Sequence, residues 1–200
     1  MDVRALLLAE HALIHSTVVA KADNTQMGEN VWARLSEPQL REQLPGHNSV
    51  AWIFWHVTRW EDAQVNCLIR GRSEVLDLTW LERLGIDTRD AGTGASDEEV
   101  SDLSHRIDLT ALKAYRDAVG LETRSWLQDG DLNVLDAVID ISANLAAAPP
   151  FVDLERAAWT LMPRDGRTGA SLFIWPVLGH AFSHLGDASH VIRSLGLPGR

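Results

Sequence analysis

The chain of 200 residues contains one cysteine, Cys67, and only two lysines, Lys21 and Lys113. A single thiol excludes an internal disulfide and a zinc site built on cysteines. The 18 basic residues are outnumbered by 28 acidic ones, which gives a net charge of −10, and no basic run occurs. Nucleic acids and anionic membranes both bind through basic surfaces, so we expect neither of them as a partner.

Long apolar runs are also missing. The first such run, Ala5–Ala9, is followed by Glu10 and His11 and is too short for the core of a signal peptide. No other uncharged apolar stretch reaches the roughly 20 residues that a spanning helix requires. We therefore expect a cytoplasmic protein, a compartment in which a lone thiol stays reduced.

Strand signals are scarce, whereas helical periodicity recurs along the chain. Long helical patterns cover Val3–Lys21, Val50–Ile69, Leu109–Leu127, Leu132–Ala148 and Ser171–Leu195. Long helices joined by loops of unequal length are typical of an antiparallel bundle. The sequence thus predicts an all-α fold, a four-helix bundle with extra short helices in its connections, forming a single domain over residues 1–200.

Shorter elements are predicted from their caps. Ser36 and Pro38 indicate the start of a short helix after one over Glu29–Leu35, and Ser96 with Glu99 forms a capping box that starts a helix at Asp97.

Between Arg72 and Gly94 we expect a long loop with a weak helical piece near Leu76–Leu84. Phe151–Gly169 is predicted to be loop with one helical turn. Pro176 lies in the first turn of the last helix or kinks it.

Eight histidines are the main reservoir of metal and acid–base chemistry. His180 and His184 are one helical turn apart, so both rings can reach one ion. A zinc protease needs a glutamate directly after the first histidine, and that position is Ala181. Two imidazoles need a further ligand, which His56 can supply.

His56 follows Val50–Trp55, a stretch that is apolar on every side and therefore predicts a central, enclosed helix. A buried imidazole must be bonded, and metal ligation satisfies it. The alternative is a core histidine bonded to a backbone carbonyl.

The run from Pro45 to Asp62, PGHNSVAWIFWHVTRWED, resembles the second-helix signature of the DinB/YfiT-like superfamily, and Gly179–Asp187 resembles its last-helix signature. The resemblance implies a four-helix bundle in which His56, His180 and His184 bind a divalent transition metal such as Zn, Ni or Fe. Arg72–Val134 carries no matching motif.

Because this superfamily includes mycothiol-dependent maleylpyruvate isomerases and bacillithiol-type S-transferases, the resemblance implies a thiol-dependent transferase or isomerase. A low-molecular-weight thiol would be the cosubstrate, a small electrophile the substrate, and a homodimer the oligomer. The alternative is a non-catalytic metal-binding or stress-response module.

Two residues near the predicted ligands have open roles. Asp187 falls on the face of His180 and His184 and either orients a ligand ring or is a solvated surface residue. Arg59 either holds a substrate carboxylate or forms a surface ion pair with Asp62 or Glu61.

The remaining candidates are weaker. His11 and His15 are also four residues apart; we expect a polar edge near the end of the bundle, with a second metal site as the alternative. Cys67 lies about three turns beyond His56 and is predicted to pack in the core. Carboxylate-x-x-His units of the di-iron type occur at Asp102–His105 and Asp187–His190, although the glutamates of such sites cannot be placed.

Overall fold

A computed structural model describes residues 2–21, 26–147 and 166–197. These residues are mostly helical, and the only β-type pairing among them is an isolated bridge between Val138 and Thr168. The predicted all-α class is confirmed. In chain order the helices are α1 (Val3–Ile14), α2 (Met27–Ala33), α3 (Glu37–Arg41), α4 (Val50–Asp62), α5 (Leu78–Leu84), α6 (Asp97–Arg106), α7 (Leu109–Asp129), α8 (Ile141–Ala147), α9 (Gly169–Phe173) and α10 (His180–Ser194).

Helix α4 is the central element, and twelve of its thirteen residues are buried. The Ser49 hydroxyl caps it by accepting a hydrogen bond from the Trp52 amide at 3.0 Å. Beyond Asp62 the chain continues as a π-helix, Ala63–Ile69, whose residues are all buried. The predicted helix Val50–Ile69 is therefore continuous, although its last part is wider than an α-helix.

The last long helix also changes its winding. Helix α9 leads into a π-helix, Ile174–Gly179, and this leads into α10. Pro176 lies inside the π-helix, because a residue without an amide hydrogen cannot complete the α-helical ladder there. The wider turns end immediately before His180.

Helix α1 is shorter than predicted, because it ends at Ile14 instead of Lys21. His15 is extended, and the Gln26 amide donates hydrogen bonds to the carbonyls of Ala12 at 2.9 Å and Ala20 at 2.9 Å. One side chain thus satisfies carbonyls that a longer helix would have used itself.

The prediction of one helix over Leu132–Ala148 is wrong within the described residues. The Asp131 carboxylate caps a 3₁₀-helix, Leu132–Leu135, and Asp140 accepts a hydrogen bond from the Ala143 amide at the start of α8. Aspartate side chains compete with the helical ladder for backbone amides, which divides the segment into two short pieces.

Other predicted starts are confirmed. Ser96 and Glu99 form the expected capping box of α6, and Ser36 with Gln39 forms one at α3. Most of the predicted loop Phe151–Gly169 lies outside the described residues; its last residue, Gly169, begins α9.

Helix α4 lies in the core, between other helices. Helix α4 packs chiefly against α7 and α10, and α1 packs against the same two helices. Across the described ranges, no helix has the length and apolarity needed to cross a membrane.

Two helical glycines provide a matched test of this packing. A Cβ at Gly120 in α7 would lie 2.6 Å from Nδ1 of His15, whereas a Cβ at Gly186 in α10 would meet nothing within 4 Å. We predict that Gly120→Ala lowers the free energy of unfolding by about 1–3 kcal/mol through overpacking. Gly186→Ala should raise it by about 0.5–1 kcal/mol, because alanine is the better helix former. Urea denaturation of both variants checks this, and equal effects would contradict the packing of α7 against α1.

Candidate metal centre

Three histidines from two helices meet at one point of the core. His56 lies at the middle of α4, and His180 and His184 occupy the first and fifth positions of α10. Each offers a ligand atom, and these three atoms lie within 4.8 Å of one another. The structure thus brings together the three residues that the sequence predicted as ligands; the bound metal itself stays a prediction.

The distances suit a shared ion. Nε2 of His56 lies 3.1 Å from Nε2 of His180, and the ring of His184 lies 4.9 Å from that of His56 and 4.6 Å from that of His180, between centroids. Two nitrogens bound to one zinc ion at about 2.0–2.1 Å are roughly 3–3.4 Å apart. The planes of the three rings cross at 61° to 84°, so each pair of rings is T-shaped.

A backbone carbonyl orients His56. Its Nδ1 donates a hydrogen bond to the carbonyl of Ala91, which leaves the lone pair of Nε2 directed at the other histidines. This is the second-sphere contact that metal-bound histidines commonly make. The two alternatives weighed for His56, a carbonyl partner and metal ligation, are therefore compatible, because each uses a different ring nitrogen.

The loop that supplies this carbonyl is docked along α4. The carbonyl of Arg89 accepts hydrogen bonds from Arg59, and the Thr93 hydroxyl accepts one from the Trp60 indole at 3.3 Å. Gly92 has φ +75, and a Cβ there would lie 2.9 Å from the Trp52 ring. Only glycine allows the loop this backbone conformation and this close approach.

Burial keeps the three imidazoles neutral. Desolvation lowers the pKa of His56 to about 4, against the opposing effect of its bond to Ala91, and lowers the pKa of His180 to about 3 with the help of the neighbouring histidines. The pKa of His184 is also lowered, chiefly by burial. Neutral rings retain the lone pair that metal binding requires.

Asp187 lies beside the cluster at its exposed edge. One carboxylate oxygen is 3.3 Å from Nδ1 of His184, and the Asp187 side chain is 61% exposed. The geometry allows this carboxylate to orient the His184 ring, and its exposure makes the contact weak.

Arg59 does not belong to the centre, and the expectation of a surface ion pair is wrong. Its side chain is fully buried, donates to Asp62 at 3.2 Å and to Glu74 at 2.5 Å, and also donates to the Tyr115 hydroxyl. Asp62 is a partner as predicted, but Glu61 is not. Since both terminal nitrogens already serve this network, the geometry gives no support to a substrate-binding role.

A second cluster was misjudged from sequence. His11 and His15 are completely buried instead of forming a polar edge, and both contact Glu61 of α4. Glu61 was not foreseen as their partner. The available signal was a carboxylate in a helix with no solvent-facing side, which must find partners inside the protein.

The remaining candidates do not form sites. Asp102 lies 3.5 Å from Arg106, while His105 contacts the Ser101 carbonyl at 2.7 Å, so the Asp102–His105 unit faces solvent without converging on further ligands. The exposed His190 lies beside His47, with 5.0 Å between ring centroids and the rings tilted by 39°. Cys67 is buried, and burial raises the pKa of its thiol, as expected for a packing residue.

Aromatic rings and a cavity adjoin the centre. The Trp52 indole stacks on the His56 ring with 4.6 Å between ring centroids. The centroids of the Trp60 and His180 rings are 4.7 Å apart. Trp52 also lines a cavity of about 370 Å³, together with Asp87, Thr88, Asp90, Gly92, Ala95, Glu98, Glu99, Asp102, Leu103 and Arg106. Trp52 thus contacts both this cavity and the His56 ring.

Comparison of the chain with known proteins gives neither a matching family model nor a significantly similar curated protein. The likeness to the DinB/YfiT-like superfamily therefore stands on the two sequence signatures.

The depressed pKa values of His56 and His180 predict acid sensitivity of the metal-free protein. Between the ordinary pKa of about 6.5 and the lowered values, the unfolded chain binds more protons than the folded one, so stability falls as pH decreases. We expect a loss on the order of 2 kcal/mol per histidine between pH 7 and 4. Urea unfolding of chelated His180→Gln should show a smaller loss than the wild type. Identical pH profiles would contradict a buried, neutral His180.

Proposed function

We propose that the protein is a metal-dependent thiol transferase or isomerase of the DinB/YfiT-like type. The observation that carries the proposal is the convergence of three neutral imidazoles from α4 and α10 within 4.8 Å. His56, His180 and His184 would hold a divalent transition metal, with Zn, Ni and Fe all suited to imidazole ligands.

The contacts between the helices support a four-helix bundle. Helix α4 touches α7 and α10, and each of these also touches α1, so the four helices follow one another around a common core. This arrangement fits the antiparallel four-helix bundle that the superfamily resemblance implies.

The chemistry follows from the ligand set. Three protein ligands leave coordination positions open, and a metal held there would lower the pKa of a bound thiol and so supply a thiolate near neutral pH. The protein's own thiol does not serve, since Cys67 is buried in the π-helix and its pKa is raised. The sulfur therefore comes from a low-molecular-weight thiol cosubstrate.

The protein's residues would orient the reactants. The carbonyl of Ala91 holds the His56 ring, and Trp52 and Trp60 give the centre an apolar rim that limits water. The cavity that Trp52 lines has room for the organic part of the thiol or for a small electrophilic substrate.

One observation favours the alternative, a non-catalytic metal-binding module. Trp52 lines the cavity and stacks on the His56 ring, whereas none of the three histidines lines that cavity. The enzyme requires that a thiol binds at the metal, whereas the metal-binding module does not, so thiol binding distinguishes the two functions.

The test is calorimetric titration of protein loaded with Zn²⁺, Ni²⁺ or Fe²⁺ against mycothiol, bacillithiol and glutathione. We expect one thiol to bind the loaded wild type and the exposed-histidine control His105→Ala, and to lose at least about tenfold in affinity with His180→Ala. Metal binding without affinity for any of the three thiols would overturn the enzyme in favour of the binding module. Absence of metal binding would overturn both.

A further inference from the structure

A second group of metal-ligating side chains lies on another side of α4. Nε2 of His11 is 2.9 Å from Oε1 of Glu61, and Nε2 of His15 is 2.8 Å from Oε2 of the same carboxylate. The two imidazoles are tilted by 37° with 4.4 Å between ring centroids. Four donor atoms, two nitrogens and two oxygens, therefore face one another.

This cluster is closed to solvent. His11 and His15 are 0% exposed and Glu61 is 2% exposed. Structural zinc sites are closed and four-coordinate, whereas catalytic sites keep an open position. Two imidazoles and a carboxylate binding through both oxygens complete such a set without water.

The tautomers that metal binding needs are available. Nδ1 of His11 and Nδ1 of His15 have no hydrogen-bond partner among the described residues. Nε2 of each ring donates its proton to the Glu61 carboxylate in this structure. Because no donor keeps Nδ1 unprotonated, the proton can instead sit on Nδ1, which leaves the Nε2 lone pair for a metal. Burial lowers the pKa of His15 to about 4, against the raising effect of Glu61, so this ring is neutral at pH 7.

The cluster contains one negative charge, that of Glu61, and a positive charge, that of Arg116, lies near it. Burial raises the pKa of Glu61, but its contacts with His15 and His11, which both hydrogen-bond to it, lower this pKa well below its usual range, so the carboxylate is ionised. Arg116 of α7 interacts with it electrostatically while donating to the Ile14 carbonyl at 2.6 Å and the Thr58 hydroxyl at 3.2 Å. The positive charge of Arg116 already offsets part of the Glu61 charge, so a bound ion would gain its affinity mainly from direct ligation.

We propose that His11, His15 and Glu61 form a second, structural site for a divalent transition metal that ties α1 to α4. The two helices pack chiefly through their shared neighbours α7 and α10, so this ion would be a direct link between them. Glu61 follows His56 by five positions, which places the two side chains about 140° apart around α4. The site is independent of the three-histidine centre and of the function proposed for it.

The test uses Co²⁺, which reports its coordination by visible absorption. In a background variant carrying His56→Ala, His180→Ala and His184→Ala, the chain is refolded with Co²⁺, because a closed site is filled during folding. We expect about one Co²⁺ per chain, a low-coordinate spectrum and a raised Tm. Adding Glu61→Gln, which keeps the shape and removes the charge, should weaken Co²⁺ binding at least about tenfold. The exposed control Glu82→Gln should have no effect.

If the background variant does not fold, the Co²⁺ stoichiometry of the wild type is compared with that of Glu61→Gln. Wild-type protein should then bind about two Co²⁺ per chain and Glu61→Gln about one. The proposal is overturned if the folded background variant takes up no Co²⁺, or if Glu61→Gln leaves the wild-type stoichiometry unchanged. In either case the cluster is a hydrogen-bonded core contact only.

Discussion

Helix α4 has no face in contact with water over most of its length, yet it carries several polar side chains: His56, Thr58, Arg59, Glu61 and Asp62. An unpaired polar group in such surroundings costs several kcal/mol, so each must be satisfied by another element. His56 turns toward Ala91 and α10, Arg59 and Asp62 toward the segment at 74–76 and Tyr115, and Glu61 toward α1. The arrangement of the other elements follows from these demands.

The loop at 89–93 shows how this constraint produces a site. It belongs to the irregular segment 85–96 between α5 and α6, which is longer than the usual connection of about 4–6 residues. Here the loop's carbonyls serve Arg59 and His56, and Gly92 fits against Trp52. The same contacts that satisfy buried donors of α4 thereby set the direction in which His56 points its free nitrogen.

Several features were predictable because they depend on local chemistry. The buried nature of Val50–Trp55, the capping box at Ser96 and the one-turn spacing of His180 and His184 are local properties of the sequence. His56 as their companion came from the enclosed helix, and the resemblance strengthened it. The all-α class follows from the absence of strand patterns.

Other features depend on contacts between distant segments, which one sequence does not display. The orienting group of His56 is a backbone carbonyl, which has no side-chain signature at Ala91. His11 and His15 looked like a polar edge because their partner, Glu61, is 46 residues beyond the second of them. The division of Leu132–Ala148 depends on Asp131 and Asp140 acting as caps, and periodicity conceals caps inside an apolar stretch.

The central claim is that His56, His180 and His184 bind one metal ion. X-ray absorption of Zn²⁺-loaded protein carrying Glu61→Gln measures the ligands of that ion directly. The account predicts about three imidazole nitrogens at roughly 2.0–2.1 Å from the zinc ion, with outer-shell scattering from the rings. This signal should be lost when His56→Ala is introduced in addition to Glu61→Gln. A zinc spectrum with oxygen ligands only, or one unchanged by His56→Ala, would contradict it.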